Sequence, residues 1–203
     1  MSVEIPDIKD YRQRWSQTTR EHILPQRTAK QYELEGKTQA SKLQENIDPS
    51  WTVLDYGSGT GRVIKNIDAA KRYALDVNIR SLRQTPPGIT QLLSDGLTIP
   101  LENDSIDYIF SLMVLQHCTK KHHLPILTEM VRVLKPGGQA LIQLPKDDAY
   151  YTQTQGVNVY TDDEIKLYVP SNASYALTVD RLVMYADGFN EGREWFLTLT
   201  KGK

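Results

Sequence analysis

The sequence predicts an α/β domain, with a mostly parallel seven-stranded sheet, helices on both faces and an antiparallel hairpin at one edge. Three observations carry this reading. From Trp51 onward, short apolar runs alternate with stretches of helical periodicity, the pattern of crossover units in a parallel sheet. The first of those runs ends in an aspartate and a loop of three alternating glycines. The tail then breaks the rhythm: YALTVDRLVMY (175–185) and REWFLTLT (193–200) are joined by turn-rich ADGFNEG with no helix between them. Such neighbours pair antiparallel, because a parallel pairing needs a crossover.

In chain order, the predicted parallel strands are WTVLD (51–55), RYALD (72–76), ITQLL (89–93), IDYIFSLMVL (106–115) and QALIQL (139–144). Val63, Ile64, Ile67 and Ala70 would line one face of a helix after the first strand, and a short helix is expected after the second. Beyond the fourth strand, Leu124, Leu127, Val131 and Leu134 recur at helical spacing. Lys135-Pro136-Gly137-Gly138 should end that helix. In TDDEIKLYV (161–169), Thr161 stands three residues before Glu164, a capping-box signature. Residues 8–46 are polar and helix-friendly, with Pro25 as a break. Residues 1–46 therefore read as a helical extension, a lid, on a domain spanning 47–203.

Composition narrows the partners. The 203 residues suffice for one such domain, and 39% hydrophobic with 24% charged is ordinary for a soluble globular chain. A formal net charge of -1 gives no overall attraction to nucleic acid or anionic lipid. Residues 9–42 hold eight Lys/Arg against four acids, which we read as a solvated helix face. One cysteine, Cys118, allows neither an intramolecular disulfide nor a cysteine-cluster metal site. No apolar run approaches the length that spans a bilayer, and the first residues, MSVEIPDIKDYRQRW, lack the apolar stretch of a signal peptide. A cytoplasmic protein with no membrane or nucleic-acid partner is expected.

VLDYGSGTGR (53–62) is the strongest local signal. Gly57, Gly59 and Gly61 let the backbone turn sharply and approach a ligand, and Thr60 is placed to cap the expected helix, its first amides facing that ligand. The dinucleotide fingerprint G-x-G-x-x-G/A fails at Arg62, and a P-loop ending in Gly-Lys-Ser/Thr is absent. Asp55, just before the loop, would sit poorly beside a pyrophosphate and suits a ligand with an ammonium group. Asp76 ends the second strand 19 residues beyond Gly57, where a carboxylate can accept from both ribose hydroxyls. Asp95, in Ser94-Asp95-Gly96-Leu97, could take an adenine amino group while Val77 and Leu97 sandwich the ring.

VLDYGSGTGR, ALDVN (74–78), SDGLTIPLENDSIDYIFSLMVLQH (94–117) and MVRVLKPGGQALIQL (130–144) together resemble the class I S-adenosylmethionine-dependent methyltransferases of the small-molecule type. The resemblance implies a Rossmann-like fold with S-adenosyl-L-methionine as cofactor. Candidate cofactor-binding residues are Asp55, Gly57, Ser58, Gly59, Gly61, Asp76, Val77, Asp95, Gly96 and Leu97. His117, just past the fourth strand and near the methyl position of the resembling fold, is the candidate general base, with Gln116 beside it. His122 and His123 fall in a polar first helical turn and should be solvated. No metal is implied. The expected acceptor is a small molecule, and the alternative is a non-catalytic S-adenosylmethionine-binding sensor or assembly module.

Overall fold

The computed structural model describes Trp15 and residues 28–147, 157–179 and 193–202. The sheet has seven strands: β1 (Thr52–Tyr56), β2 (Lys71–Asp76), β3 (Thr90–Leu93), β4 (Ile106–Ser111), β5 (Leu134–Pro145), β6 (Ala173–Thr178) and β7 (Glu194–Lys201). Their order across the sheet is β3-β2-β1-β4-β5-β7-β6. Strands β1 to β5 are parallel, and β7 runs antiparallel to both β5 and β6. Besides Trp15, which is helical, the α-helices among the described residues are α1 (Ala29–Gln44), α2 (Ile79–Leu82), α3 (His123–Val133) and α4 (Asp162–Lys166). Among the described residues, no helix is long and apolar enough to cross a membrane.

Alternation along the strands sorts the core into two layers. On one face, Leu54, Ile109, Ala140, Ile142 and Leu197 pack under Ile126, Leu127, Met130 and Val131 of α3. On the other, Val53, Ala74, Tyr108 and Phe110 pack under Ala40 and Leu43 of α1, with Ile47. Helix α1 starts at a complete capping box, in which Thr28 Oγ1 accepts from Gln31 N and Gln31 Oε1 accepts from Thr28 N. Its buried stripe is Tyr32, Glu35, Gly36, Gln39, Ala40 and Leu43, a helical spacing that is mostly polar or small in composition. One face of α1 therefore packs into the core of the sheet domain, while Lys30, Leu34, Lys37 and Lys42 on its other side are exposed. The rest of the expected lid, residues 1–27 apart from Trp15, lies outside the described residues.

Three local expectations are corrected. No α-helix follows β1: only a 3-10 turn, Ile64–Asn66, stands between the glycine loop and β2. The loop's turns run to Val63 and β2 opens at Lys71, which leaves too few residues for a stable helix. Helix α1 covers that face instead. Strand β4 stops at Ser111, because Met113 takes a φ of 60° and turns the chain into a 3-10 turn at Leu115–His117. Lys135-Pro136-Gly137-Gly138 is not a break before β5 but a bulge within it. Gly137 has a φ of 81°, and a Cβ on Gly138 would come within 3.0 Å of Asp107 O.

The contact between α1 and the glycine loop is close enough to test. A Cβ on Gly36 would lie 2.6 Å from the carbonyl oxygen of Arg62, a backbone atom with no freedom to move aside. Helix propensity alone favours alanine over glycine by about 1 kcal/mol. Overlap with backbone costs more, typically about 1–3 kcal/mol. Gly36→Ala should thus lower stability in urea titrations, and a gain in stability would show that α1 can slide off the loop.

Candidate functional site

The loop after β1 is built on three glycines with φ of 80°, 55° and 74° at Gly57, Gly59 and Gly61. Gly57 N and Ser58 N both donate to Leu75 O, at 2.8 and 2.9 Å, which seats the loop on the end of β2. A side chain at Gly57 would overlap Val114, whereas at Gly59 nothing lies within 4 Å of a built Cβ. The loop is packed at its start and open at its centre. Thr60 caps no helix here, since none follows. Its Oγ1 meets Tyr32 Oη at 3.2 Å, and the Arg62 guanidinium sits 4.9 Å above the Tyr32 ring.

Asp76 is tied into this loop. Its Oδ2 accepts from Gly59 N and its Oδ1 from Asn78 N, both at 2.8 Å. Burial pushes its pKa up, and the amides of Asn78, Gly59 and Val77 oppose that shift by favouring the charged form. Asp55 is buried beneath the loop, on the α1 side of the sheet. Burial holds its carboxyl well above the usual range, opposed by the charge of Arg62 and the amide of Ile64 and reinforced by the charge of Asp76. Asp95 Oδ1 accepts from Leu97 N at 2.9 Å and Thr98 N at 2.7 Å, so one of its oxygens shapes its own turn. Gly96 N donates to Ser94 Oγ at 2.9 Å, and Gly96 O accepts from Tyr56 Oη at 2.8 Å. Val77 and Leu97 are half-buried against the α3-side core. Ser58 Oγ is buried with no hydrogen-bond partner.

His117 is half-buried in the turn after β4, its ring centroid 5.0 Å from that of Trp15. Trp15 O accepts from Asn78 Nδ2 at 2.6 Å. The structure thus joins Asp76, Gly59, Asn78, Trp15 and His117 in one chain of contacts, while Asp55 lies below the loop and Asp95 is engaged in its turn. Asn78, Tyr56 and Val114 were not candidates from sequence. Asn78 had a readable signal: it stands directly before a helix and its Oδ1 accepts from Arg80 N and Ser81 N, the action of an N-cap. Tyr56 and Val114 are apolar-run residues with no such mark.

A sheet in this order, with a glycine loop after β1 and a carboxylate ending β2, is the class I methyltransferase fold. Residues 54–142, less than half of the chain, match the family described as a methyltransferase domain. The chain is 33% identical over 101 residues, 45% of its length, to the malonyl-[acyl-carrier protein] O-methyltransferase of Methylococcus capsulatus. It is 29% identical over 93 residues, 44% of its length, to the tRNA (carboxymethyluridine(34)-5-O)-methyltransferase of Saccharomyces cerevisiae. It spans 36% and 33% of the lengths of these two relatives. The magnesium protoporphyrin IX methyltransferase of Synechocystis PCC 6803, solved with S-adenosylmethionine bound, superposes with a TM-score of 0.69 at 13% identity, covering 100% of both chains.

One expectation beside the site is corrected. His123 is not solvated but 1% exposed. Its Nδ1 lies 3.2 Å from Thr119 O and its Nε2 2.6 Å from Tyr160 Oη. With the proton on Nδ1, the ring donates to the carbonyl and accepts from the phenol. Burial lowers its pKa to about 4, with the charge of Lys120 adding to the effect and the Thr119 carbonyl opposing it. The unfolded chain takes up this proton below about pH 6.5, well before the folded protein does. The contribution is therefore fully present above pH 6.5, is lost as pH falls towards 4, and could reach about 3 kcal/mol. Chemical denaturation of wild type and His123→Gln across pH 7 to 4 should show a steeper loss for wild type, and parallel curves would place His123 in contact with water.

Proposed function

We propose that this chain is a cytoplasmic enzyme that transfers the methyl group of S-adenosylmethionine to a small-molecule acceptor, with His117 as general base. The observation that carries the reading is the glycine loop bonded to Asp76 beside the open space at Gly59. The residues present fit the cofactor. Asp76 retains a second lone pair on each oxygen for the ribose hydroxyls. The orphaned Ser58 hydroxyl and the backbone of Gly57, Gly59 and Gly61 would line its methionine portion. Val77 and Leu97 would flank the adenine, with Asp95 and Gly96 at its polar edge. Asp55, buried below the loop, would be drawn towards its charged form by an ammonium group placed above it. The bound cofactor supplies an electrophilic methyl on a sulfonium, so the chain's task is alignment and exclusion of water. Trp15 would shield the site, and the His117 ring would accept the proton that an acceptor hydroxyl or ammonium must lose.

Two measurements test the cofactor site. Calorimetry should show micromolar-range binding of S-adenosylmethionine, about 8 kcal/mol. Asp76→Ala should weaken it by about 1–3 kcal/mol with the circular dichroism spectrum retained. No binding by folded wild type would end the cofactor assignment. For the acceptor, labelled cofactor should be offered with a metabolite extract, with malonyl-acyl carrier protein and with total tRNA. Label confined to tRNA or the carrier protein would replace the small-molecule reading, and binding without label in any arm would favour a sensor. Once the acceptor is found, His117→Asn should lower turnover by about 10²–10⁴-fold at unchanged cofactor affinity. A loss under tenfold would leave alignment alone as the source of rate.

A further inference from the structure

The turn that carries His117 is held from its buried side by residues far away in sequence. Asn158 N donates to Gln116 O at 2.8 Å, and Asn158 Nδ2 to Cys118 O at 2.6 Å. Tyr160 Oη lies 3.3 Å from Leu115 O and 2.6 Å from His123 Nε2. His123 Nδ1 meets Thr119 O at 3.2 Å. The carbonyls of Leu115, Gln116, Cys118 and Thr119 thus each meet one of three residues. Tyr160 is itself fixed: it is fully buried, its carbonyl accepts from Trp195 Nε1 at 3.0 Å, and Lys120 Nζ sits 5.0 Å over its ring.

We propose that Asn158, Tyr160 and His123 are positioning residues, which clamp the 115–119 turn so that its outer side presents His117 to the reacting groups. The physical reason is the turn's irregularity. It follows a non-glycine residue at positive φ, Met113; local backbone amides reach Leu115 O (from Cys118 N) and Thr119 O (from His122 N), both at 2.9 Å, while Gln116 O and Cys118 O take their bonds from Asn158. Apolar packing could bury the segment, but only directional donors can hold the carbonyls of Gln116, Cys118 and Thr119 in one arrangement, with Tyr160 fixing the His123 ring that serves the last of them. A histidine ring half-buried against Trp15 keeps its place only if the backbone beneath it does not shift. The inference rests on the reading of His117 as the base, and it concerns what places that ring.

The test reads His117 directly. Long-range proton–nitrogen spectra of the histidine rings are recorded for ¹⁵N-labelled wild type, Tyr160→Phe and Asn158→Ala, with His117 assigned through His117→Asn. A clamp predicts that in the folded variants the His117 ring resonances leave their wild-type positions, as the ring moves relative to Trp15. Cofactor affinity should stay within twofold of wild type, because neither residue lies in the glycine loop. If both variants melt at lower temperature yet keep wild-type His117 resonances, the residues serve stability alone and the proposal falls. Should Tyr160→Phe fail to fold, Asn158→Ala decides by the same criterion. Absence of cofactor binding by wild type would overturn the methyltransferase reading while leaving the His117 displacement, and so the clamp, to stand or fall on the spectra.

Discussion

The carboxylate of Asp76 is the junction on which the candidate site depends. It ends β2, where the parallel strand leaves the sheet, and it accepts from the amide of Gly59 on one oxygen and of Asn78 on the other. Asn78 then caps α2 and donates to the carbonyl of Trp15, whose ring lies against His117. A carboxylate drawn out of water loses solvation, and here its neighbouring amides replace part of what is lost. Removing it would orphan two amides. At this residue, the shape of the loop and the ribose contact we propose rest on one carboxylate.

The second constraint is the short connection between β1 and β2. A crossover helix would normally cover Val53, Ala74 and Phe110, and here α1 does so from the N-terminal side of the sheet. Gly36 permits this, because its missing side chain lets α1 approach the backbone of Arg62. Tyr32 one turn earlier reaches Thr60 and receives Arg62 above its ring. The face that a local helix would have covered is therefore covered by a remote one, and the glycine loop is braced from outside by residues 32 and 36.

What could be read from the residues follows the range of the forces involved. The strands were legible because each is a short apolar run whose burial is decided locally, and the glycine loop because its φ angles exclude other residues. Asp76 was legible through its spacing from that loop. The α1 stripe was not, since Glu35, Gly36 and Gln39 carry no hydrophobic periodicity although they are buried. His123 was misread for a related reason. Its neighbours Lys120, Lys121 and His122 are polar, and the partner that makes its burial tolerable, Tyr160, arrives from 37 residues away. Trp15 touching His117 and Asn78 is likewise a tertiary fact with no local trace. The apolar stretch after Phe110 reads as strand, yet Met113 at positive φ ends the run and creates the turn on which the candidate base sits.

The missing helix after the glycine loop also bears on ligand choice. Dinucleotide sites hold a pyrophosphate at the N-terminus of a full helix, whose unpaired amides and dipole favour negative charge. Here the loop is followed by a three-residue 3-10 turn, and the amides that might face an anion are engaged: Gly57 and Ser58 with Leu75 O, Gly59 with Asp76. Two carboxyl groups, Asp55 and Asp76, flank the same loop, and Arg62 beside them is directed towards Asp55 and the Tyr32 ring. The engaged amides and the Asp76 carboxyl at the loop therefore disfavour a bridging diphosphate. This arrangement suits a ligand whose charge at this point is cationic, as the ammonium and sulfonium of S-adenosylmethionine are. The departure from the expected helix removes the one device a dinucleotide would need and is compatible with the methyl donor we propose.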